Sequence, residues 1–200
     1  MTSTTMISLS TDTQSFKQIQ ELTHASKHSL KGVDLSLVDL HEFDLSGQDL
    51  TGTIFEGANL RGVNFTDAVL DGAFLKGADL NGATLKNTSL VGADLTYANM
   101  YQAKIEGSNL QNANLTNANL NKATLKTCNL SRAFMGGTSL RKASLEAVNL
   151  EGALMGGARL SDDVSSLIFT DLKWAAVSAD QLMKAKILEG VILPNGSKSS

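Results

Sequence analysis

Side chains that could do chemistry are few in this sequence, and their spacing does not suit catalysis. The histidines are His24, His28 and His41, and the first two are four residues apart, so they could share one face of a helix. A zinc site needs three or four ligands, and nothing else is spaced to complete one. Serines and threonines are abundant, but none lies in a nucleophile motif with a partner histidine. We therefore expect no catalytic residue, no metal and no cofactor.

The acidic and thiol groups also favour structural roles. Aspartates and asparagines recur at a fixed spacing, which indicates stacked ladders of side chains rather than an acid–base pair. Cys128 is the only cysteine, and it occupies a position that small apolar residues fill elsewhere, so we interpret it as part of the core. The sequence has no phosphate-binding loop. The next question is which structural element places these aspartates and asparagines at a regular spacing.

That element is defined by large apolar residues, which recur at every fifth position from Leu30 to Leu160, over 27 consecutive positions. A period of five fits neither an α-helix nor a strand that runs straight on. The chain must bury one residue, turn, and bury the next. A short fixed period predicts a solenoid, in which each unit packs only on its neighbours.

Each group of five has its own internal pattern. Two positions before the large residue (i−2) the side chain is small, as at Ala78, and one position before it (i−1) Asp or Asn is frequent, as at Asp79. Residues i−2 and i lie on the same side of an extended segment, so both point inward while i−1 points outward. Gly is common two positions after the large residue (i+2), as at Gly82, where it suits a tight turn. Each unit is therefore a short extended side followed by a corner.

A step of 20 residues indicates that four units close one coil. The segment 133–137 recurs in similar form at 153–157. Four units per coil would stack such positions about 4.8 Å apart, where opposite charges attract. Charges that alternate in sign at the same step are Lys86, Glu106, Lys126 and Glu146.

The units resemble the A(D/N)LXX signature of the pentapeptide-repeat family. Examples are Ala78–Gly82, Ala93–Tyr97 and Ala113–Asn117, and the resemblance covers 31–160, which is 26 pentads or six and a half coils. It implies an all-β solenoid, a right-handed quadrilateral β-helix with four pentads per coil, to which the terminal sequences described below add short helical caps. The family is functionally diverse, so the resemblance does not fix a function.

The N-terminal part of the chain differs from the repeats. Residues 1–14 are rich in Ser and Thr and are predicted to be disordered. Residues 15–29 are predicted to form a helical cap, with Ser15 as its N-cap. Such a cap would cover the open end of the β-helix at 30–160. The apolar side of the predicted helix carries Phe16, Ile19 and Leu22.

At the other end the period breaks after Leu160. We assign 161–194 to a C-terminal cap with a short helix from Ser178 to Ala185, and 195–200 to a flexible tail. A step of five then returns in a new phase, which predicts one last partial coil. Its members are Met183, Leu188 and Leu193.

One outward column departs from the usual Asp or Asn. An exposed apolar cluster marks a contact, which could be made by the chain's own terminal segment or by a partner protein. Sequence drift without consequence is the third interpretation. The column consists of Ile54, Phe74, Asp94, Asn114, Phe134 and Leu154, and we place Tyr97 and Tyr101 on or beside the same face.

Charge is distributed unevenly along the repeats. Residues 31–95 carry ten acidic and four basic side chains, a net charge of −6, whereas residues 96–160 carry three acidic and seven basic ones, a net charge of +4. This is either ordinary solubilising charge or a surface for an acidic partner. The candidate basic patch comprises Lys122, Arg132, Arg141, Lys142 and Arg159.

These features predict a rigid rod that binds a protein partner, as a monomer or an end-to-end dimer, without direct contact to nucleic acid. The chain has 200 residues, no apolar run long enough to span a membrane and no signal peptide, so we expect a cytoplasmic protein. Two alternatives stay open. Some family members mimic DNA, bind DNA gyrase and protect it from quinolones, but they are strongly acidic. Alternatively, nine Ser or Thr among the first 15 residues could be the export leader of an effector secreted into host cells.

Overall fold

The fold is a four-sided solenoid. A computed structural model describes residues 30–160, 166–168, 170–183 and 187–199. Residues 20 positions apart pair in parallel, as Asp34 does with Ile54 and Asp39 with Asn59. The same step joins every side of the coil, so four pentads make one turn of a right-handed quadrilateral β-helix. The predicted fold class and the predicted coil length are both confirmed.

The core is a single column inside the square. Every large residue in the five-residue series from Leu30 to Leu160 is buried. The residues at i−2 are buried as well, except Val33 and Gln48, which are half-buried. Where a hydroxyl occupies this inward position it donates to a carbonyl of the coil below, as Thr138 Oγ1 does to Leu115 O at 2.7 Å. These polar groups are therefore buried with partners and do not weaken the column.

The corners are tight turns that impose one backbone conformation. The residue at i+2 has a positive φ in every unit from 32 to 157, for example +69° at Gly82 and +59° at Tyr97. In most units the turn is closed by a bond from i+3 to i, such as Val33 N to Leu30 O at 3.0 Å. Glycine adopts this conformation at no steric cost, which explains its frequency at i+2.

One side of the square carries the longer strands. These form a six-stranded parallel sheet in sequential order, which stacks consecutive coils directly above one another. The ladder bonds of this sheet hold the alternating charges in register, and Lys126 Nζ lies 3.4 Å from Glu146 Oε2. The strands are β1 Thr84–Lys86, β2 Lys104–Glu106, β3 Thr124–Lys126, β4 Ser144–Glu146, β5 Ser166–Ile168 and β6 Ile187–Glu189.

The regular solenoid extends beyond the point at which the sequence pattern breaks. Leu145 pairs with Leu167, a step of 22 rather than 20, and Leu154 then bridges Ala176. The break after Leu160 is thus a two-residue insertion, and a further coil follows it. This coil was not predicted, because the insertion shifts the phase of the apolar residues.

A short helix α1, Ala179–Met183, follows that coil. Ser178 caps it in a reciprocal pair, since its Oγ accepts from Gln181 N at 3.2 Å and its own N–H donates to Gln181 Oε1 at 2.7 Å. Met183 lies at the end of α1 with 81% of its surface exposed. Its predicted place in a last partial coil is therefore wrong.

The last described residues close the end of the rod. Leu188 pairs with Leu167, which places β6 above β5 as the predicted partial coil requires. The chain then reverses, and Ile192 bridges Lys198 in antiparallel orientation. Leu193 N donates to Ser197 O at 2.7 Å. The tail predicted to be flexible from 195 instead pairs back on the final coil.

Several predictions concern residues 1–29 and lie outside the described residues. They include the disordered segment, the helical cap with Ser15, and the pair His24 and His28. Within the part of the chain that the structure describes, no helix is long and apolar enough to cross a membrane.

Candidate functional site

The apolar column predicted from the sequence forms one continuous strip on one side of the rod. Consecutive members bridge one another from one coil to the next over five coil steps. Phe74, Phe134 and Leu154 are 45%, 48% and 49% exposed, and Ile54 is half-buried. No described residue covers the three exposed side chains. We call this strip the apolar face; it consists of Ile54, Phe74, Asp94, Asn114, Phe134 and Leu154.

Two exposed apolar residues next to this face were missed by the sequence analysis. Trp174 lies in the unpredicted coil, at the corner that leads into the apolar face, and 67% of its surface is exposed. Lys173 Nζ lies 4.1 Å from the centroid of its ring. Leu37 is 71% exposed at the opposite edge, at the i+2 position after Leu35. Both could have been found in the sequence, because each is a large apolar residue at a turn position that favours glycine or a polar residue.

The two tyrosines lie at different corners. Tyr97 is 62% exposed and follows Leu95 at the edge of the apolar face, as expected. Tyr101 follows Met100 and therefore lies one corner further round the square. There the amino group of Lys122 is 5.1 Å from the centroid of the Tyr101 ring. The prediction that Tyr101 lies on or beside the apolar face is wrong.

Four of the five predicted basic residues lie together. Lys122 N donates to Arg141 O at 2.9 Å, so the corner that carries Lys122 lies directly below the corner that carries Arg141 in the next coil. Arg132 lies elsewhere, at the corner that leads into the apolar face, with its N–H bonded to Glu151 O at 2.9 Å. Grouping Arg132 with the others is therefore wrong. We call the remaining set the basic corner; it consists of Lys122, Arg141, Lys142 and Arg159.

Between the apolar face and the basic corner, one side of the square carries a ladder of amides and carboxylates. Asn99 Nδ2 donates to Asp79 Oδ1 at 2.9 Å, and Asn119 Nδ2 donates to Asn99 Oδ1 at 3.0 Å. The same Oδ1 atoms accept backbone N–H groups of the next turn, as Asp79 Oδ1 does from Asn81 at 3.1 Å. The repeated Asp and Asn residues are thus structural, as the sequence indicated.

A shallow cleft of about 490 Å³ at the N-terminal end of this side gathers polar groups. His41 Nδ1 lies 2.8 Å from Asp39 Oδ1, and Arg61 Nη1 lies 3.8 Å from Asp79 Oδ2. Hydrogen bonds from the backbone and the ring of His41 lower the pKa of Asp39 below its ordinary value. His41 and Arg61 are therefore each paired with an aspartate. Among the described residues, no group of three or more His, Cys, Asp or Glu could hold a metal ion.

Cys128 is buried in the core, as the sequence indicated. Its Sγ lies 3.1 Å from Ile105 O, in the inward column where serine and threonine occur in other coils. Burial raises the pKa of the thiol, so the reactive thiolate is disfavoured. The residue therefore has a packing role.

Comparisons with known proteins agree with this geometry. A family profile described as "Pentapeptide repeats" matches in eight copies, with ranges that run from 29–67 to 125–162. No curated protein matches the sequence. The structure is similar to HetL of the cyanobacterium Nostoc sp. strain PCC 7120, a protein involved in heterocyst differentiation regulation, with 28% identity, a TM-score of 0.53, and coverage of 92% of this chain and 98% of HetL. It is also similar to trypsin-treated QnrB1, a plasmid-mediated fluoroquinolone resistance protein, with 25% identity, a TM-score of 0.51, and coverage of 83% and 84%.

Proposed function

Because the chain belongs to the pentapeptide-repeat family, we propose that it is a non-enzymatic scaffold that binds a protein partner through the flat sides of its β-helix. The observation that carries this proposal is the apolar face. Its exposed side chains Phe74, Phe134 and Leu154 stand on ladder-bonded backbone, Phe74 beside Ile54 and Leu154 beside Phe134 in the next coil. A rigid surface of this kind binds without ordering a loop first, which lowers the entropic cost of association.

The apolar residues give up a local interaction that the fold offers at their positions. Asp94 Oδ1 accepts from Thr96 N at 3.0 Å, and Asn114 Oδ1 accepts from Thr116 N at 3.1 Å. A phenylalanine at the same position, such as Phe134, cannot accept that bond. Phe134 is 48% exposed, so covering it would gain about half of the roughly 1.5–3 kcal/mol of full burial, which is comparable to the lost bond. This favours a contact surface over sequence drift.

The test compares two aspartate substitutions that add the same charge on different sides of the rod. Phe134→Asp changes the apolar face, and Thr124→Asp changes an exposed i−1 position in β3. The full-length protein and both variants would be used as baits in a pull-down, with thermal melting in parallel. We expect Phe134→Asp to lose the captured protein while its melting temperature stays nearly unchanged, and Thr124→Asp to retain capture.

Two results would overturn this proposal. One is capture that survives both substitutions. The other is a loss of stability of roughly 1–3 kcal/mol in Phe134→Asp with no change in binding. The second result would mean that the chain's own terminal segment covers the face.

The basic corner, one side of the square away from the apolar face, offers a second contact surface. Its four cations lie on three consecutive coils about 4.8 Å apart, with Arg141 and Lys142 at the same corner. Such a strip accelerates association with an acidic surface and makes it sensitive to salt. We therefore propose that the basic corner contacts an acidic surface. For the location of the protein we keep the expectation from the sequence, which is the cytoplasm. Secretion into a host cell is the alternative.

Gyrase modulation by DNA mimicry is the second candidate function, and the likeness to QnrB1 at 25% identity favours it. A DNA mimic needs negative charge along the whole rod. Here residues 96–160 carry a net charge of +4. We therefore rank this function below a scaffold with another partner.

A further inference from the structure

The apolar face has nearly the same order of residue types when it is followed from either end. Its two outermost members are aliphatic, each is followed inward by a phenylalanine, and the two central positions are polar. Beyond these six residues the same side of the rod continues with Asp34 at one end and Ala176 at the other. The centre of this symmetry lies between Asp94 and Asn114, which bridge each other in adjacent coils. From the N-terminal end, the order is Ile54, Phe74, Asp94, Asn114, Phe134 and Leu154.

We infer that the partner on the apolar face is a second copy of this chain, docked antiparallel with the two-fold axis between Asp94 and Asn114. This inference rests on the proposed function, since it names the partner of the same face. The axis would place Phe74 against Phe134 of the second copy and Ile54 against Leu154 of the second copy. Each contact then occurs twice, as in any isologous interface.

The polar centre of the face fits this arrangement. On the neighbouring side, Asn99 Nδ2 donates to Asp79 Oδ1 of the coil below at 2.9 Å. Among the described residues, no corresponding bond joins Asn114 to Asp94. In the antiparallel pair the Asn114 amide can donate to Asp94 of the second copy. A parallel pair would instead place Asp94 against Asp94, where like charges repel.

The corner that leads into the apolar face adds a charge pair. Asp71 belongs to the coil of Phe74, and Arg132 belongs to the coil of Phe134. The two-fold axis therefore brings Asp71 next to Arg132 of the second copy, and the contact occurs twice. Asp71 Oδ1 is held in place at this corner by Val91 N at 3.0 Å and by Ser89 Oγ at 2.5 Å.

The opposite corner leaves room for the second copy. Glu56 and Lys76 project there, and the axis sets them against the corners at 156–157 and 136–137, which are two consecutive glycines each. Long charged side chains therefore meet corners that have no side chains. The net charges of the two halves of the rod also match. Residues 31–95, with a net charge of −6, lie along residues 96–160 of the second copy, which carry a net charge of +4.

The size of the strip sets the expected affinity. Five coil steps separate Ile54 from Leu154, which is about 24 Å at about 4.8 Å per step. An interface of this length falls at the small end of specific contacts, below roughly 1,200 Å² of total buried surface. The dimer should therefore form in the micromolar range and depend on concentration.

Sedimentation velocity on the full-length protein tests the association. Over about 1 to about 200 µM we expect a monomer–dimer equilibrium in the wild type and in Thr124→Asp. Phe134→Asp should raise the dissociation constant at least tenfold. A wild type that stays monomeric at about 200 µM overturns the inference. The proposed function would survive that result if the pull-down still captures another protein in a manner sensitive to Phe134→Asp.

Cross-linking tests the orientation. In a Cys128→Ser background, Ile54→Cys and Leu154→Cys would be purified separately, mixed, and treated with a bis-maleimide whose spacer is about 10 Å, the distance between packed sheets. We expect a cross-linked dimer only in the mixture, since like positions lie about 24 Å apart in an antiparallel pair. A cross-linked dimer from Ile54→Cys alone would mean a parallel pair and overturn the inference.

Charge reversal tests the register at the corner. Asp71→Arg and Arg132→Asp should each weaken the dimer, because each places like charges together. The double variant Asp71→Arg/Arg132→Asp should restore it to near the wild-type dissociation constant. Weakening by the single variants without restoration in the double variant would overturn the assigned register.

Discussion

Replacing Leu115 by Ala tests the core of the rod most directly. Leu115 is fully buried. The bridges from Asp94 to Asn114 and from Asn114 to Phe134 place it between Leu95 and Met135 of the neighbouring coils. Each side of a coil contributes one large residue to the core, and the coils above and below fix the backbone, so a lost side chain leaves a gap with little room to close. Substitutions of this kind cost about 2–5 kcal/mol, and we expect the upper part of that range. Leu115→Asp should cost more, because it buries an unpaired carboxylate.

Urea unfolding followed by far-ultraviolet circular dichroism measures this loss. The matched control is Thr124→Ala, an exposed position that should stay within about 0.5 kcal/mol of the wild type. All proteins would be compared at one low concentration, so that dimer formation does not add to the apparent stability. If Leu115→Ala loses less than about 1 kcal/mol, the residue does not lie in a close-packed column and the assigned register is incorrect. A lower m-value in the variant would instead show that the two halves unfold separately.

Three further predictions follow from corners, carboxylates and charge. Gly82→Ala should lower the free energy of unfolding in urea by about 1–2 kcal/mol. The cause is the φ of +69°, since open space around Gly82 excludes a clash, whereas Gly136→Ala, at a position without a positive φ, should be tolerated. Hydrogen bonds from Ser36 and His41 lower the pKa values of Asp34 and Asp39, so their stabilising effect is complete above the ordinary value of 3.8 and is lost as the pH falls through the lowered values. The melting temperature should therefore fall only below about pH 4, and less steeply in Asp39→Asn. A supercoiling assay should show weak or no inhibition of DNA gyrase, and inhibition at sub-micromolar protein would contradict the argument from charge.

The central fold could be predicted because three of the five positions in each unit are dictated by the backbone. The positions i and i−2 must point inward, and i+2 must adopt a positive φ, so the pattern of large, small and glycine residues is visible in the sequence. The coil length could be predicted from stacked charges, and the distance of 3.4 Å between Lys126 Nζ and Glu146 Oε2 agrees with it. Both inferences use contacts between adjacent coils, which repeat at a fixed step.

The end of the rod could not be predicted in the same way. Leu167 and Leu172 are themselves five residues apart, but the two-residue insertion after Leu160 shifts them out of the earlier phase. Two apolar residues alone do not distinguish a further coil from a short helix. The structure resolves this through the parallel bridge from Asn149 to Asp171, which continues the stack.

The surface groupings failed where nearness in the sequence was taken for nearness in space. Arg132 and Arg141 are nine residues apart, which is almost half of a 20-residue coil, and they therefore lie at opposite corners. Tyr101 and Lys122 are 21 residues apart, yet the Lys122 amino group lies over the tyrosine ring. In this fold, a step close to 20 predicts contact more reliably than a short separation does.

The same geometry indicates where function can be encoded in this rod. Because i and i−2 are committed to the core, only the side chains at i−1, i+1 and i+2 are free to meet a partner, and those at i+2 are restricted by the positive φ of the corner. A change at i−1 affects one side of one coil, and a functional surface must therefore appear as a column of changes at a step of 20. Phe74 and Phe134 belong to such a column, whereas Val69 is a single exposed apolar residue on another side, between Asp49 and Ser89. The six members of the apolar face also repeat their order of residue types about their centre, which favours a partner that carries the same column.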